Sequence, residues 1–142
     1  MLMIVVEVNS LQDTEELGKK IAASLKGNEV IAFFGGMGMG KTTLTRSIVR
    51  ALDSQEDASS PTFAIVNEYR AKYNIYHFDM YRITSWDDLY STGFFDYIDT
   101  GVLLIEWSEN IENALPETAV RISIKPGKNE NSRLFEIEGL II

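Results

Sequence analysis

The chain has 142 residues, of which 45% are hydrophobic and 24% charged, a balance typical of a single globular domain covering residues 1–142. Its net charge of −8 and its scattered 13 basic residues disfavour direct gripping of nucleic acid, and the absence of cysteine excludes disulfides, thiolate catalysis and cysteine metal sites. The apolar run at residues 1–6 is too short for a signal peptide or a membrane span, so we expect a cytoplasmic protein with no membrane contact.

Strands and helices are predicted to alternate through the first half of the chain. Residues 3–8 are apolar and β-branched, as in a strand, and Asp13 with Glu16 predicts a capping box that opens a helix running to about residue 25. Residues 30–34 are continuously apolar, which is typical of a strand covered on both faces. A glycine-rich loop follows at residues 35–40, then a helix at residues 41–52 and a polar loop at residues 53–60.

Further strands, with short helices between them, are predicted in the second half. Two strands with a tight connection are predicted at residues 63–69 and 74–79, and short helical pieces follow at residues 86–97. A buried strand is predicted at residues 102–106, and a terminal hairpin is formed by residues 119–124 with 134–138. Strands that alternate with helices indicate an α/β layered fold with a mostly parallel central sheet and a C-terminal hairpin.

The strongest motif is GGMGMGKT at residues 35–42, which satisfies the phosphate-loop pattern G-x-x-x-x-G-K-T. Glycines let backbone amides curl around phosphate oxygens, and the following helix presents its positive end to the same anion. Lys41 would add a charge at the outer phosphates, and the Thr42 hydroxyl would ligate Mg²⁺. The predicted nucleotide contacts are Gly38, Met39, Gly40, Lys41, Thr42 and Thr43. The motif therefore predicts a P-loop NTPase-like fold that uses a nucleotide and Mg²⁺.

Two acidic residues are predicted at the carboxyl ends of buried strands, where open α/β sheets bind ligands. Asp79 ends the strand at residues 74–79, and Glu106 ends the strand at residues 102–106. A phosphate loop needs an acidic group opposite it to order magnesium or water, so both are candidate site residues. His77 is interpreted mainly as a hydrogen-bonded core residue, and for Trp107 packing and a role in the site stay open.

Four motifs in this order resemble the TsaE family, small bacterial ATPases of the tRNA threonylcarbamoyladenosine pathway. They are the phosphate loop, SPTF at residues 60–63, HFDMYR at residues 77–82 and IEW at residues 105–107. The resemblance spans about residues 17–107 and implies ATP binding with slow hydrolysis. It implies phosphate-loop roles for Lys41 and Thr42, the magnesium acid at Glu106, a second catalytic acid at Asp79, and a switch-like role for Thr62.

The resemblance also implies protein partners. Family members act with TsaB and TsaD, which transfer a threonylcarbamoyl group to adenosine in tRNA, so contact of this chain with tRNA is expected to be indirect at most. The loop departs from the family pattern at Gly36, Met37 and Met39, where an acid, leucine and alanine are usual. We further predict that the adenine leaves the loop toward the ends of the chain, flanked by Leu11 and Arg133.

Two other functions stay open. A small P-loop kinase for a metabolite fits the loop, but such enzymes generally use an arginine-rich lid, and Arg46, Arg70 and Arg82 are isolated in the sequence. Of these, Arg82 is expected to be buried. A non-catalytic ATP-sensing module would instead bind nucleotide and a partner without meaningful turnover.

Overall fold

A computed structural model describes residues 3–35, 40–52 and 66–142 of the chain. In chain order its elements are β1 (Met3–Val8), α1 (Leu11–Ser24), β2 (Val30–Phe34), α2 (Lys41–Ala51), β3 (Val66–Arg70), β4 (Asn74–Asp79), α3 (Trp86–Ser91), α4 (Phe94–Tyr97), β5 (Val102–Glu106), a 3-10 helix (Ser108–Ala114), β6 (Val120–Pro126) and β7 (Arg133–Glu138). No helix among these residues is long and apolar enough to cross a membrane.

The strands of the described residues form one seven-stranded sheet in the order β1-β7-β6-β2-β5-β4-β3. Its centre, β6-β2-β5-β4, is parallel throughout, whereas β3, β7 and β1 join their neighbours in antiparallel fashion. The predicted α/β fold with a mostly parallel centre and a C-terminal hairpin is therefore confirmed. The hairpin is also part of the main sheet, because β7 lies between β6 and β1.

Helices cover both faces of the sheet centre, and β5 shows this most directly because all five of its residues are buried. Val102 and Leu104 belong to the core beneath α1 and α2, while Leu103 and Ile105 belong to the core beneath α3, α4 and the 3-10 helix. Each fully buried aliphatic side chain of this kind contributes about 1.5–3 kcal/mol. The two cores hold the carboxyl ends of the central strands at one edge of the sheet.

The start of α1 differs from the prediction. The helix begins at Leu11, and its N-cap is Ser10, whose hydroxyl accepts a hydrogen bond from the Asp13 backbone N–H at 3.1 Å. The Asp13 carboxylate in turn accepts from the Asn9 N–H at 2.9 Å. Ser10 is thus the N-cap, and Asp13 lies in the first turn of the helix, where its carboxylate accepts from the residue before the cap.

Several predicted features lie outside the described residues. These are the central part of the glycine-rich loop with Gly38 and Met39, the polar loop at residues 53–60, Thr62, and the first three residues of the strand predicted at 63–69. The remainder of that strand is β3, and the connection to β4 is the predicted tight turn, closed by a hydrogen bond from the Ala71 N–H to the Tyr73 carbonyl.

Candidate functional site

The glycine-rich loop connects the middle strand of the parallel group to the start of α2. β2 pairs in parallel with β5 on one side and with β6 on the other, so Gly35 leaves the carboxyl edge of the sheet between two neighbours. Gly35 has φ of 141°, and an added Cβ would come within 3.0 Å of the Ile124 carbonyl oxygen. A side chain is therefore disfavoured at this position, both by conformation and by space.

The N-terminus of α2 differs from those of α1 and α3. Ser10 and Ser85 cap α1 and α3 through their hydroxyls, whereas α2 starts from Gly40 in a left-handed conformation with no side-chain cap. A Cβ added at Gly40 would meet no atom within 4 Å. The positive end of a helix favours an anion, and this end carries the predicted contacts Lys41, Thr42 and Thr43.

Lys41 is the one buried residue among the lysines and arginines, all of which lie in the described part of the chain. Its Nζ donates to the Gly35 carbonyl at 2.8 Å and lies 4.9 Å from the centre of the Trp107 ring. An ammonium group held by one carbonyl and an aromatic face retains donors for another acceptor. The arrangement keeps a positive charge beside the glycine-rich loop.

Glu106 meets α2 at the end of β5. One carboxylate oxygen accepts a hydrogen bond from the Thr42 hydroxyl at 3.3 Å, and the other lies 2.8 Å from His77 Nε2. Hydroxyl and carboxylate oxygens are the donors that Mg²⁺ prefers. The described residues hold no group of three or more His, Asp or Glu side chains that could bind a metal. Thr42 and Glu106 offer two oxygen ligands, and phosphate and water would complete the coordination of an ion held there.

Asp79 lies directly across from Glu106, because the two are register partners on the parallel strands β4 and β5. Its carboxylate accepts a hydrogen bond from the Tyr81 N–H at 2.9 Å and is half-buried. The structure therefore brings both predicted acids to one edge of the sheet. Glu106 makes the contact with Thr42, whereas Asp79 accepts a bond that stabilises the turn after β4.

Leu11 and Arg133, predicted from the two ends of the chain, line one cavity of about 380 Å³. Gly40 and Thr43 line the same cavity, so it opens beside the start of α2. The Arg133 guanidinium donates to the carbonyls of Glu130 and Ser132, both at 2.8 Å, and this fixes its side chain at the cavity wall.

Sequence reasoning missed two contacts of the site and misjudged one residue. The Glu109 carboxylate accepts a hydrogen bond from the Gly35 N–H at 3.2 Å, and His77 reaches Glu106 across 29 positions. Local patterns carry no signal for either contact, because the two residues of each pair are far apart in the sequence. Arg82, expected to be buried, is exposed in the turn after β4, because the turn directs it to solvent while Met80 and Ile83 are buried.

Comparison with known proteins gives a consistent result over most of the chain. The family model described as "Threonylcarbamoyl adenosine biosynthesis protein TsaE" matches residues 8–135. A protein of Rickettsia prowazekii called "tRNA threonylcarbamoyladenosine biosynthesis protein TsaE" is 36% identical over 132 residues, covering 92% of this chain and 91% of the relative. One of Aquifex aeolicus with the same name is 40% identical over 107 residues, with 73% and 76% covered.

A solved structure has a fold similar to that of this chain. The structure described as "Crystal structure of Bacillus subtilus YdiB" superposes with a TM-score of 0.74 at 28% identity, covering 96% of this chain and 84% of that chain.

Proposed function

The chain belongs to the TsaE family of tRNA threonylcarbamoyladenosine biosynthesis, and from this premise we propose that it binds ATP with Mg²⁺ and hydrolyses it slowly. One observation carries the proposal. At the start of α2, which has no side-chain cap, the Thr42 hydroxyl contacts the Glu106 carboxylate and the Lys41 ammonium contacts the Gly35 carbonyl. Gly35 has a backbone conformation that no other residue would adopt easily. A cation, hard oxygen ligands and the positive end of a helix together suit a nucleoside triphosphate and its metal.

The roles of these residues follow from their chemistry. Lys41 would exchange the Gly35 carbonyl for a phosphate oxygen, because a charged acceptor makes a stronger hydrogen bond than a neutral one. Thr42 and Glu106 would hold Mg²⁺, which when bound neutralises charge on the phosphates. Gly38, Met39, Gly40 and Thr43 would supply further contacts to the phosphates.

Two further residues complete the proposed catalytic set. Asp79 lies beside Glu106 at the sheet edge, where a carboxylate can orient a water molecule near the outer phosphate. Thr62 is assigned a switch-like contact on that side by its place in the SPTF motif alone.

The adenine would occupy the cavity of Leu11 and Arg133. Gly40 and Thr43 border this cavity, so a nucleotide with its phosphates at the start of α2 would extend into it with its base. Leu11 is exposed there and offers apolar surface, and the Arg133 guanidinium has a flat face that can stack on a purine.

The ATP cycle would act through partner proteins in the cytoplasm. We propose that this chain works with TsaB and TsaD, that these perform the transfer to tRNA, and that this chain itself contacts tRNA indirectly at most. Its net charge of −8 supports an indirect role, because a phosphate backbone repels an acidic surface. A non-catalytic ATP sensor would use the same site, and measured turnover separates the two.

Lys41→Ala tests the proposal. Loss of a charged hydrogen-bond donor costs roughly 1.5–3 kcal/mol, so we expect ATP affinity to fall by about tenfold to a hundredfold. Hydrolysis should fall with it, and tRNA threonylcarbamoylation in a reconstituted reaction should be lost. Isothermal titration with ATP and Mg²⁺ gives the affinity directly.

Lys20→Ala is the matched control, because Lys20 is an exposed lysine on α1. It should bind ATP like the unaltered protein. Equal ATP affinity in the Lys41 and Lys20 variants would rule out the assignment of the phosphate site.

A further inference from the structure

The negative charge of this protein is concentrated in one segment. Residues 83–120 contain 8 of the 21 acidic residues and none of the 13 basic ones, so the 13 acidic and 13 basic residues elsewhere balance. This segment forms α3, α4, β5 and the 3-10 helix. Six of its acids are exposed, namely Asp87, Asp96, Asp99, Glu109, Glu112 and Glu117.

Three aromatic side chains are exposed on α3 and α4 in the same segment. Trp86, Tyr90 and Phe95 have 53%, 64% and 37% of their surface accessible. Their rings form a continuous row, with centroids 6.3 Å apart between the first two and 5.2 Å apart between the last two. Contiguous exposed aromatic surface is typical of protein interfaces, where tryptophan and tyrosine supply much of the binding energy.

A groove lies between α3 and the 3-10 helix, next to Trp86. It has a volume of about 250 Å³, and its apolar wall is formed by Ile83, Leu89 and Ile111. Glu109 and Glu112 line it on the side of the 3-10 helix. An apolar floor with an acidic rim suits an apolar side chain that is flanked by lysine or arginine.

The wall of this groove is bonded to the phosphate site. Glu109 accepts from the Gly35 N–H, where the glycine-rich loop begins. The Asn110 side-chain amide donates to the carbonyls of Met80 and Tyr81, at 2.8 and 3.2 Å, in the turn that follows Asp79. The 3-10 helix thus contacts both sides of the proposed ATP site, and an occupant of the groove would contact the same helix.

We propose that the groove and the aromatic row form the docking surface for a protein partner that inserts an apolar side chain surrounded by basic residues. Nucleic acid and anionic lipid would be repelled by the acidic segment, and so would the same surface of a second copy of this chain. The inference rests on the proposed function, because the partner is taken to be one whose binding communicates with the ATP site.

The experiment measures the affinity of the full chain for purified TsaB and TsaD, with ATP and Mg²⁺ present. Trp86→Ala and, separately, Tyr90→Ser should each weaken association by roughly thirtyfold or more, as expected for the centre of an interface. The affinity of each variant for ATP alone should stay unchanged, since neither side chain touches the ATP site. This second readout also reports that each variant is folded.

Charge reversal tests the acidic segment, at Asp87 on α3 and at Glu112 on the groove wall. Asp87→Lys with Glu112→Lys should slow association and reduce its dependence on salt. Glu7→Lys with Glu16→Lys changes the net charge by the same amount on exposed residues outside the segment, and should leave association near the unaltered value. If the two pairs slow association equally, then net charge alone explains the effect, and the proposal is overturned.

The possible failures are distinguishable. If the unaltered chain binds ATP but neither TsaB nor TsaD, then the partner part of the proposed function is wrong, and the docking surface with it. If the unaltered chain binds the partners and the Trp86 and Tyr90 variants bind equally well, then only the docking surface is wrong.

Discussion

Glu106 illustrates how one side chain of this protein depends on its neighbours. A buried carboxylate is costly unless hydrogen bonds replace its water, and Glu106 is only 6% exposed. His77, fully buried, lies 2.8 Å away and must carry its proton on Nε2 to donate to an ionised carboxylate. The other ring nitrogen, Nδ1, has no hydrogen-bond partner among the described residues. The bond to Glu106 therefore orients the His77 ring, and it holds one of the two carboxylate oxygens of Glu106.

We expect Glu106→Gln to raise the Mg²⁺ concentration needed for ATP binding. The glutamine can keep contacts to His77 and Thr42, so the fold should persist while the negative charge that favours the ion is lost.

His77→Ala should weaken ion binding by about tenfold to a hundredfold, the range for partners that orient metal ligands, and His77→Gln should recover part of it. Titration with Mn²⁺ in the presence of ATP, followed by electron paramagnetic resonance, measures the ion affinity of each variant by a readout that does not depend on turnover.

Asp79→Asn is the variant with which Glu106→Gln is compared. It removes the neighbouring carboxylate and should alter the ion requirement less than Glu106→Gln does. If Glu106→Gln keeps the unaltered requirement and Asp79→Asn raises it, then the metal role moves to Asp79.

At the scale of elements, the contact between α1 and α2 sets where the phosphate site begins. A Cβ added at Gly18 would lie 2.4 Å from the Ser47 Cβ, so glycine allows the two helices to approach closely. Leu17, Ile21, Leu44 and Ile48 are buried around this contact. Because α2 starts at Lys41, a shift of this helix would also move the proposed ATP site.

Gly18→Ala should therefore destabilise the protein, although alanine favours a helix by about 1 kcal/mol. Overpacking in a tight contact typically costs about 1–3 kcal/mol, and here a Cβ meets another Cβ. Urea unfolding of Gly18→Ala, Ser47→Gly and the double variant measures the coupling. The double variant should be more stable than the sum of the single effects, since removing the Ser47 Cβ makes room.

Ala23→Gly, at an exposed position of α1, measures the intrinsic helix preference for this comparison. A Gly18→Ala protein that is more stable than the unaltered one, with additive effects in the double variant, would contradict the proposed close contact.

At the scale of the whole molecule, the placement of the arginines bears on turnover. All six lie in the described residues, and Arg46, Arg50, Arg70 and Arg82 are exposed. Arg121 donates to Glu112, and Arg133 donates to backbone carbonyls beside the Leu11 cavity. Lys41 is thus the buried cation at the loop. An arginine that neutralises the transferred phosphate would have to move in or come from another protein.

We therefore predict that the purified chain hydrolyses ATP slowly and that TsaB and TsaD change the rate. Where an arginine is supplied by a partner, it accelerates phosphoryl transfer by about a thousandfold or more. Steady-state phosphate release is measured for the chain alone and then with both proteins added, with Lys41→Ala as the inactive reference. Rapid turnover that is unaffected by the partners would favour an independent ATPase or a metabolite kinase.

Much of the fold was predictable because local patterns report burial. The four apolar residues that precede Glu106 in β5 predicted a buried strand, and the apolar run in β2 predicted a strand covered on both faces. Both strands were confirmed. The glycine spacing placed Lys41 and Thr42 at the start of a helix, since a loop and the helix after it are contiguous in sequence. The start of α1 was misplaced, because Ser10 rather than Asp13 caps the helix through its hydroxyl. The strand predicted at residues 119–124 also continues to Pro126.

Only the tertiary structure decided which distant residues meet. It joined Gly35 to Glu109 across 74 positions and His77 to Glu106 across 29. It also placed β7 between β6 and β1. The sequence alone predicted the strands and helices of the described residues, and it carries the proposal for the chemistry of the loop. It could not determine these pairings, because strand order and side-chain contacts depend on how the sheet and its two cores assemble, which no local pattern encodes.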